Sequence, residues 1–202
     1  MILSENRLRQ AAMQAWNQGK YEYYRFSTMR FDAAQTYDLF ISHSFKDKDL
    51  VIGLYHLFSA AGYKVYIDLV DDSNLERKCV TPSTAEIIRK RIEKSKGASY
   101  IATANSMTSK WCPWELGVAD GMHNRVCILP IMNATRFEGQ EYLGLYPYLE
   151  YEQMPGQVKT DFYIHDQQDP RKYVYLGGWL LGLKPFLPFF PEYLSSEFPL
   201  LD

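Results

Sequence analysis

The sequence predicts an α/β protein of the flavodoxin-like, three-layer type, with a mainly parallel five-stranded sheet and an extension at each end. Short apolar, β-prone segments alternate with segments whose apolar residues recur at helical spacing, a pattern typical of a parallel sheet covered on both faces. The chain has 202 residues, 47% of them hydrophobic, which suits one domain with a sizeable core. No GxGxxG motif follows the first strand, which argues against a Rossmann dinucleotide fold.

The chain divides into three predicted parts. Residues 1–36 form a partly helical N-terminal extension, in which a helical face is followed by a glycine stop signal at Gly19. That face consists of Leu8, Ala12, Ala15 and Trp16. Residues 37–166 form the α/β domain. Residues 167–202 form a C-terminal extension that we expect to pack on the domain.

The domain itself is predicted to alternate strands and helices. The predicted strands are 37–44, 64–68, 98–104, 126–132 and 162–166. The first helix follows the first strand and ends at Gly62, since glycine is a common helix stop. Another helix begins near Pro113, because proline is tolerated in the first turn.

Composition excludes several classes of function. The 22 Lys and Arg nearly balance the 24 Asp and Glu, so no nucleic-acid-binding stripe is expected. Three cysteines without a CxxC pair indicate neither a zinc site nor a disulfide framework, and we expect no metal. The N-terminus lacks a signal peptide's apolar core, and the longest apolar run, residues 173–183, is too short to span a bilayer. A cytoplasmic protein that does not enter a membrane is therefore expected.

The flavodoxin-like strand order predicts where a ligand binds. Ligands of such sheets lie beyond the carboxyl ends of the strands, where the strand order reverses between the first and third strands. The loop after the first strand holds Ser42–Lys46, and the loop after the third holds Ser106–Glu115. We expect these two loops to face each other across one crevice.

Trp111 and Glu115 are the most informative residues of this crevice. They are four apart and so share one face of a helix, with Glu115 expected in or near the first turn, where the macrodipole favours a carboxylate. An indole can stack on a cationic ring, and a carboxylate can hold ribose hydroxyls and stabilise positive charge at an anomeric carbon. The alternative is structural: such a Glu commonly only complements the helix dipole, and Trp is commonly core.

Four segments, in order, resemble the TIR domain family. YDLFISHSFKDKD is similar to its first strand and loop, and GYKVYID to its second strand. WCPWELGVADG resembles the helix start that carries the catalytic glutamate of NAD-cleaving TIR proteins, and VCILPI resembles the fourth strand. The resemblance covers residues 37–132, roughly half of the chain.

The resemblance implies an activity and a site. Catalytic TIR domains cleave NAD+ at the nicotinamide–ribose bond, and some bacterial ones, as in Thoeris antiphage defence, make a cyclic ADP-ribose signal that a separate effector protein detects. Glu115 matches the catalytic residue, and the matching substrate-binding positions are Ser44, Phe45, Tyr66, Asp68 and Trp111. Lys46 is the expected phosphate contact, because the paired arginines of some relatives are replaced here by Ser44 and Phe45. NAD+ is then the substrate, and no separate cofactor is expected.

Two other functions stay open at this point. Many TIR domains are adaptors that self-assemble and cleave nothing, since a fold does not fix a function. Nucleoside deoxyribosyltransferase-like enzymes also use a carboxylate at a related crevice. Asp68 and His43 have structural interpretations too, as a turn former at a strand end and as a histidine without a catalytic partner.

Overall fold

The computed structural model describes residues 3–20, 34–67, 82–131, 141–154 and 157–187. In these ranges the strands are β1 Tyr37–Ser42, β2 Val65–Ile67, β3 Ser95–Ala102, β4 Val126–Pro130, β5 Tyr148–Glu152, β6 Asp161–His165 and β7 Tyr173–Tyr175. The helices are α1 Glu5–Asn17, α2 Lys48–Ala60, α3 Pro82–Glu93, α4 Ala104–Met107, α5 Trp111–His123 and α6 Leu176–Leu180. Two 3₁₀ turns, Phe45–Asp47 and Glu141–Leu145, precede α2 and β5.

One sheet carries the fold, with the strand order β2-β1-β3-β4-β5-β6-β7. The first five strands are parallel in the predicted flavodoxin-like order, which confirms the fold class. The sheet then continues with two antiparallel strands, β6 and β7. The segment predicted as the fifth strand, 162–166, is β6, and the fifth parallel strand is Tyr148–Glu152 instead.

Apolar side chains fill both faces of the sheet and create three layers. One cluster joins α1, α2 and α6 to the sheet and contains Leu8, Leu54 and Trp179. The other cluster joins α3 and α5 to the opposite face through Ile92 and Leu116. Short parallel strands buried on both faces explain why their sequences are nearly continuous apolar runs.

The helix α1 packs closely on α2. Ser4 caps it, because its side chain accepts a hydrogen bond from the Arg7 backbone N–H at 3.3 Å. Leu8, Ala11 and Ala15 are its buried residues, so the buried face differs from the predicted one. Trp16 was predicted on that face, but its side chain is 62% exposed. The helix is therefore rotated about its own axis so that Ala11, and not Trp16, is buried.

The apolar run 173–183 forms β7, α6 and the turn after it. Leu176, Trp179 and Leu180 are buried, whereas Leu181 and Leu183 are exposed. No helix within the described ranges is long and apolar enough to cross a membrane. The predicted boundary at residue 166 falls in the turn between β6 and β7, and residues 188–202 lie outside the described part of the chain.

The closest approach of α1 to α2 generates a testable prediction. A Cβ atom added at Gly53 would lie 2.0 Å from the backbone oxygen of Leu8, which no side-chain rotation can relieve. Gly53→Ala should therefore lower the free energy of unfolding by about 1–3 kcal/mol, as overpacking does. Urea unfolding measures this change.

Gly121→Ala is the matched control, because Gly121 lies in α5 and a Cβ there meets nothing within 4 Å. Its alanine should stabilise the protein by up to about 1 kcal/mol through helix propensity. Equal effects of the two substitutions would show that the α1–α2 contact is not rigid.

Candidate active site

The carboxyl ends of β1 and β3 lie side by side at the point where the strand order reverses. The two strands are parallel neighbours, with Ser42 in register with Tyr100. β2 lies on the far side of β1, and β4 on the far side of β3. The loops that follow β1 and β3 are in direct contact, since the Thr103 hydroxyl donates a 2.6 Å hydrogen bond to the Asp47 carboxylate. This is the geometry that the crevice prediction required.

Glu115 projects from α5 to the end of β1. Its side chain is only 5% exposed, and its Oε2 accepts a 2.6 Å hydrogen bond from the Ser42 hydroxyl. A buried carboxylate needs such donors, because removing it from water without them is costly. The bond fixes the rotation of the carboxylate and places it at the junction of the two loops.

The helix that carries Glu115 begins earlier than predicted. It begins at Trp111, two residues before Pro113, so Glu115 is its fifth residue and no acidic residue lies in the first turn. Glu115 therefore lies just beyond the first turn, which agrees with the prediction that it is in or near that turn. The effect of the helix dipole falls off within the first turn, whereas the Ser42 hydroxyl donates directly to this carboxylate.

Tyr100 forms part of the surroundings of Glu115. It is fully buried on β3, and burial raises the pKa of its phenol well above the usual range, with the charges of Cys112, Tyr142 and Glu115 adding to the effect. A hydrogen bond with Ser106 opposes the rise in pKa. Tyr100 therefore stays neutral at physiological pH and does not add a second anion beside Glu115.

Trp111 begins the helix and is half-buried on the same face as Glu115. Its ring meets the edge of Trp114 at a centroid distance of 5.5 Å, and the Arg89 guanidinium lies 5.5 Å from the Trp114 ring. The Trp111 backbone N–H donates to the Ser109 hydroxyl at 3.2 Å. Packing thus holds the indole at the start of the helix that carries Glu115.

The other predicted substrate-binding residues lie on the turn after β1, on β2 and just after β2. Ser44 is buried and caps the 3₁₀ turn, whereas Phe45 and Lys46 are exposed on it. Tyr66 is 2% exposed on β2, where its ring stacks on Phe40 at 6.0 Å. Asp68 lies outside the described residues. The substrate-binding roles of these residues stay predictions.

Sequence reasoning assigned no role to two polar residues of the crevice, Ser42 and Asp47. Ser42 was placed in the loop after the first strand without a partner, and Asp47 was not considered. The Nδ1 of the neighbouring His43 lies 3.2 Å from the Ile41 carbonyl oxygen. Asp47 directly precedes α2 and reads as an ordinary helix cap, yet its side chain makes no cap hydrogen bond. The sequence feature that could have indicated a role for Ser42 is its place as a polar residue at the end of a buried strand.

A second polar cluster lies on β5 and β6. Ligand-type atoms of Glu150, Glu152 and His165 come within 4.8 Å of one another. His165 Nε2 lies 2.5 Å from the Glu152 carboxylate, and its Nδ1 lies 2.8 Å from the Pro170 carbonyl oxygen. Both ring nitrogens can donate a hydrogen bond only when the ring is a protonated imidazolium. His165 and Glu152 therefore form an ion pair that links β5 to β6.

The chain belongs to the TIR domain family, whose family model matches residues 39–161. Among curated proteins it is 38% identical over 153 residues to the probable 3' cyclic ADP-D-ribose synthase ThsB' of Bacillus cereus (strain MSX-D12), covering 74% of this chain and 78% of the relative. It is 37% identical over 83 residues to the putative cyclic ADP-D-ribose synthase TIR2 of Cytobacillus dafuensis, covering 41% of this chain and 22% of that one.

Among solved structures, one similar chain is the TIR domain of the Toll-related receptor TRR-2 from Hydra magnipapillata. It is 26% identical, with a TM-score of 0.37, and the match covers 48% of this chain and 70% of that chain.

The ion pair on β5 and β6 predicts a pH dependence of stability. The hydrogen bond from His165 lowers the pKa of Glu152 to about 2. Burial lowers the pKa of His165, but the bonds to Glu152 and Pro170 outweigh it and raise the pKa above its ordinary 6.5. The contribution of Glu152 to the free energy of unfolding is lost as the pH falls from 4.5 toward 2. The contribution of His165 is lost as the pH rises through the raised pKa of the imidazole.

Glu152→Gln should therefore lower the free energy of unfolding most between pH 4.5 and 6.5, and less on either side. Urea unfolding, measured at intervals of about one pH unit between roughly pH 3 and pH 9, gives this profile. Glu150→Gln is the control and should show a smaller effect. A cost of Glu152→Gln that is independent of pH would contradict the ion pair.

Proposed function

We propose that this TIR domain is an NAD+ glycohydrolase or cyclase that breaks the nicotinamide–ribose bond at Glu115. The observation that carries the proposal is the buried Glu115 carboxylate, oriented by Ser42 at 2.6 Å where the β1 and β3 loops meet. Similarity to a relative named as a cyclic ADP-D-ribose synthase supports the same chemistry.

The reaction needs a fixed anion near the anomeric carbon of the ribose. When the C–N bond breaks, the electron pair leaves with nicotinamide, which becomes neutral, and positive charge develops on the ribose. A preorganised carboxylate stabilises that charge more than it stabilises the substrate, which accelerates the step. Glu115 would supply this anion and hold the ribose hydroxyls.

The side chains around Glu115 would bind the rest of NAD+. Trp111 and Phe45 present aromatic surface for the nicotinamide side, where an indole attracts a cationic ring. Lys46, exposed on the same turn as Phe45, would contact the diphosphate. Ser44, Tyr66 and Asp68 complete the proposed substrate-binding set.

The fate of the ribosyl cation decides the product. Attack by water gives ADP-ribose and one proton, whereas attack by a hydroxyl of the same molecule gives a cyclic product and one proton. Exclusion of water from the crevice favours the second outcome. We propose the cyclic product as a signal in antiphage defence, made in the cytoplasm by self-assembled TIR domains and detected by a separate effector protein.

Glu115→Gln tests the catalytic role. The substitution keeps the size and the acceptor for the Ser42 hydroxyl but removes the charge, so nicotinamide release should fall by a factor of roughly 10²–10³ or more. Chromatography of NAD+ reactions, with products identified by mass spectrometry, measures the rate.

Glu93→Gln removes an exposed carboxylate from α3 and should leave the rate unchanged. The wild type must first release nicotinamide under some condition, such as high protein concentration. If Glu115→Gln then turns over NAD+ at the wild-type rate, Glu115 is structural and the adaptor function is favoured.

A further inference from the structure

Asp47 links the two loops of the crevice. It ends the 3₁₀ turn that carries Phe45 and Lys46, and its side chain is 4% exposed. Its two carboxylate oxygens accept hydrogen bonds from Thr103 Oγ1 and Asn105 Nδ2, both at 2.6 Å. Thr103 directly follows β3 and caps α4, and Asn105 lies in α4, so the two donors are 56 and 58 residues away along the chain.

The hydrogen-bond donors of the Asp47 side chain are unusual for an aspartate at the start of a helix. Asp47 is the N-cap residue of α2, where an aspartate ordinarily accepts a hydrogen bond from its own helix. No such bond forms, and the carboxylate reaches across the crevice instead. Its charge is still complemented by the helix N-terminus beside it. The hydrogen bonds of the Asp47 side chain therefore join the two loops and do not cap its own helix.

The Thr103 side of the link is itself rigid. Its hydroxyl donates to Asp47 and also accepts from the Ser106 backbone N–H at 3.0 Å. The Ser106 hydroxyl in turn accepts from the Thr103 backbone N–H at 2.9 Å, which completes a capping box at the start of α4. Asp47 is thus anchored to a capped helix start rather than to a loose loop.

Asp47 also belongs to the 3₁₀ turn that carries the exposed side chains of Phe45 and Lys46. The turn closes on itself, because the Asp47 backbone N–H donates to the Ser44 carbonyl at 2.9 Å. The Lys46 backbone N–H faces the Ser44 hydroxyl at 3.4 Å. Phe45 and Lys46 lie between these anchors and are exposed. Asp47 joins the turn that carries them to Thr103 and Asn105.

We propose that Asp47 is a positioning residue for NAD+ binding, which holds Phe45 and Lys46 in place through Thr103 and Asn105. The proposal rests on the proposed function. It separates two tasks in the crevice: Ser42 orients the reacting carboxylate, and Asp47 orients the binding turn. A change at Asp47 acts on the Michaelis constant, whereas a change at Ser42 acts on the turnover number.

Asp47→Asn tests this division. The amide has one acceptor oxygen where the carboxylate has two, and it carries no charge, so it cannot accept from both Thr103 and Asn105 and the link is weakened. We expect KM for NAD+ to rise about tenfold with kcat changed less than about threefold, the pattern of lost ground-state binding. Ser42→Ala should show the opposite split, a lower kcat with a nearly unchanged KM.

The exchange Asp47→Asn with Asn105→Asp provides the rescue. It restores a carboxylate opposite an amide and an acceptor for Thr103, so KM should return to within about threefold of wild type. Asn105→Ala, which removes one donor and keeps Asp47, is the milder second variant and should raise KM in the same direction.

Hydrogen exchange of the amides of residues 43–47 is the readout that needs no turnover. It should accelerate in Asp47→Asn and recover in the exchanged double variant. Unchanged exchange, or an unchanged KM in both single variants, would overturn the positioning role, as would a double variant that stays impaired. Absence of nicotinamide release by wild type under every condition defeats the proposed function instead, and the exchange measurement tells the two failures apart.

Discussion

The hydrogen bond from Ser42 to Glu115 is the constraint on which the rest of the site depends. It joins the last residue of a buried strand to the fifth residue of a helix that follows a different strand. Such a bond exists only if β1 and β3 are parallel neighbours, because their carboxyl ends must then lie at one edge of the sheet. The strand order of the sheet is thus needed for the Ser42–Glu115 contact as well as for burial of the apolar side chains.

Burial gives the Ser42–Glu115 contact its importance. A carboxylate that is 5% exposed has little water around it, so each remaining dipole acts in a medium of low effective dielectric constant. The low dielectric constant that raises the free-energy cost of burying the carboxylate charge also strengthens its attraction for a developing cation. The packing of Trp111 against Trp114 and the fully buried ring of Tyr100 contribute to that environment.

The fold was largely predictable, because hydrophobic periodicity records burial. Strands β1 to β4 and the helix after β1 follow from apolar runs and helical spacing. β5 was missed since only Leu149 of its five residues is fully buried, and Glu150 and Glu152 interrupt the apolar pattern. Its neighbour β6, with four consecutive buried residues, took its place in the prediction.

The position of the Glu115 carboxylate was predictable from the sequence, but its contacts were not. Strand order and the spacing of Trp111 and Glu115 placed the carboxylate near the crevice. The roles of Ser42 and Asp47 depend on partners 73 and 56 residues away, and no local pattern encodes such pairs. The start of α5 was also misplaced, because Ser109 receives the first backbone N–H groups of a helix that begins before Pro113.

The position of NAD+ bound to the inactive Glu115→Gln protein tests the central claim most directly. A crystal structure of that complex should place the nicotinamide-bearing ribose against the side chain of residue 115, with the nicotinamide beside Trp111 and the diphosphate toward Lys46. A dinucleotide bound elsewhere on the molecule, with residue 115 still buried and out of contact with the ribose, would contradict it.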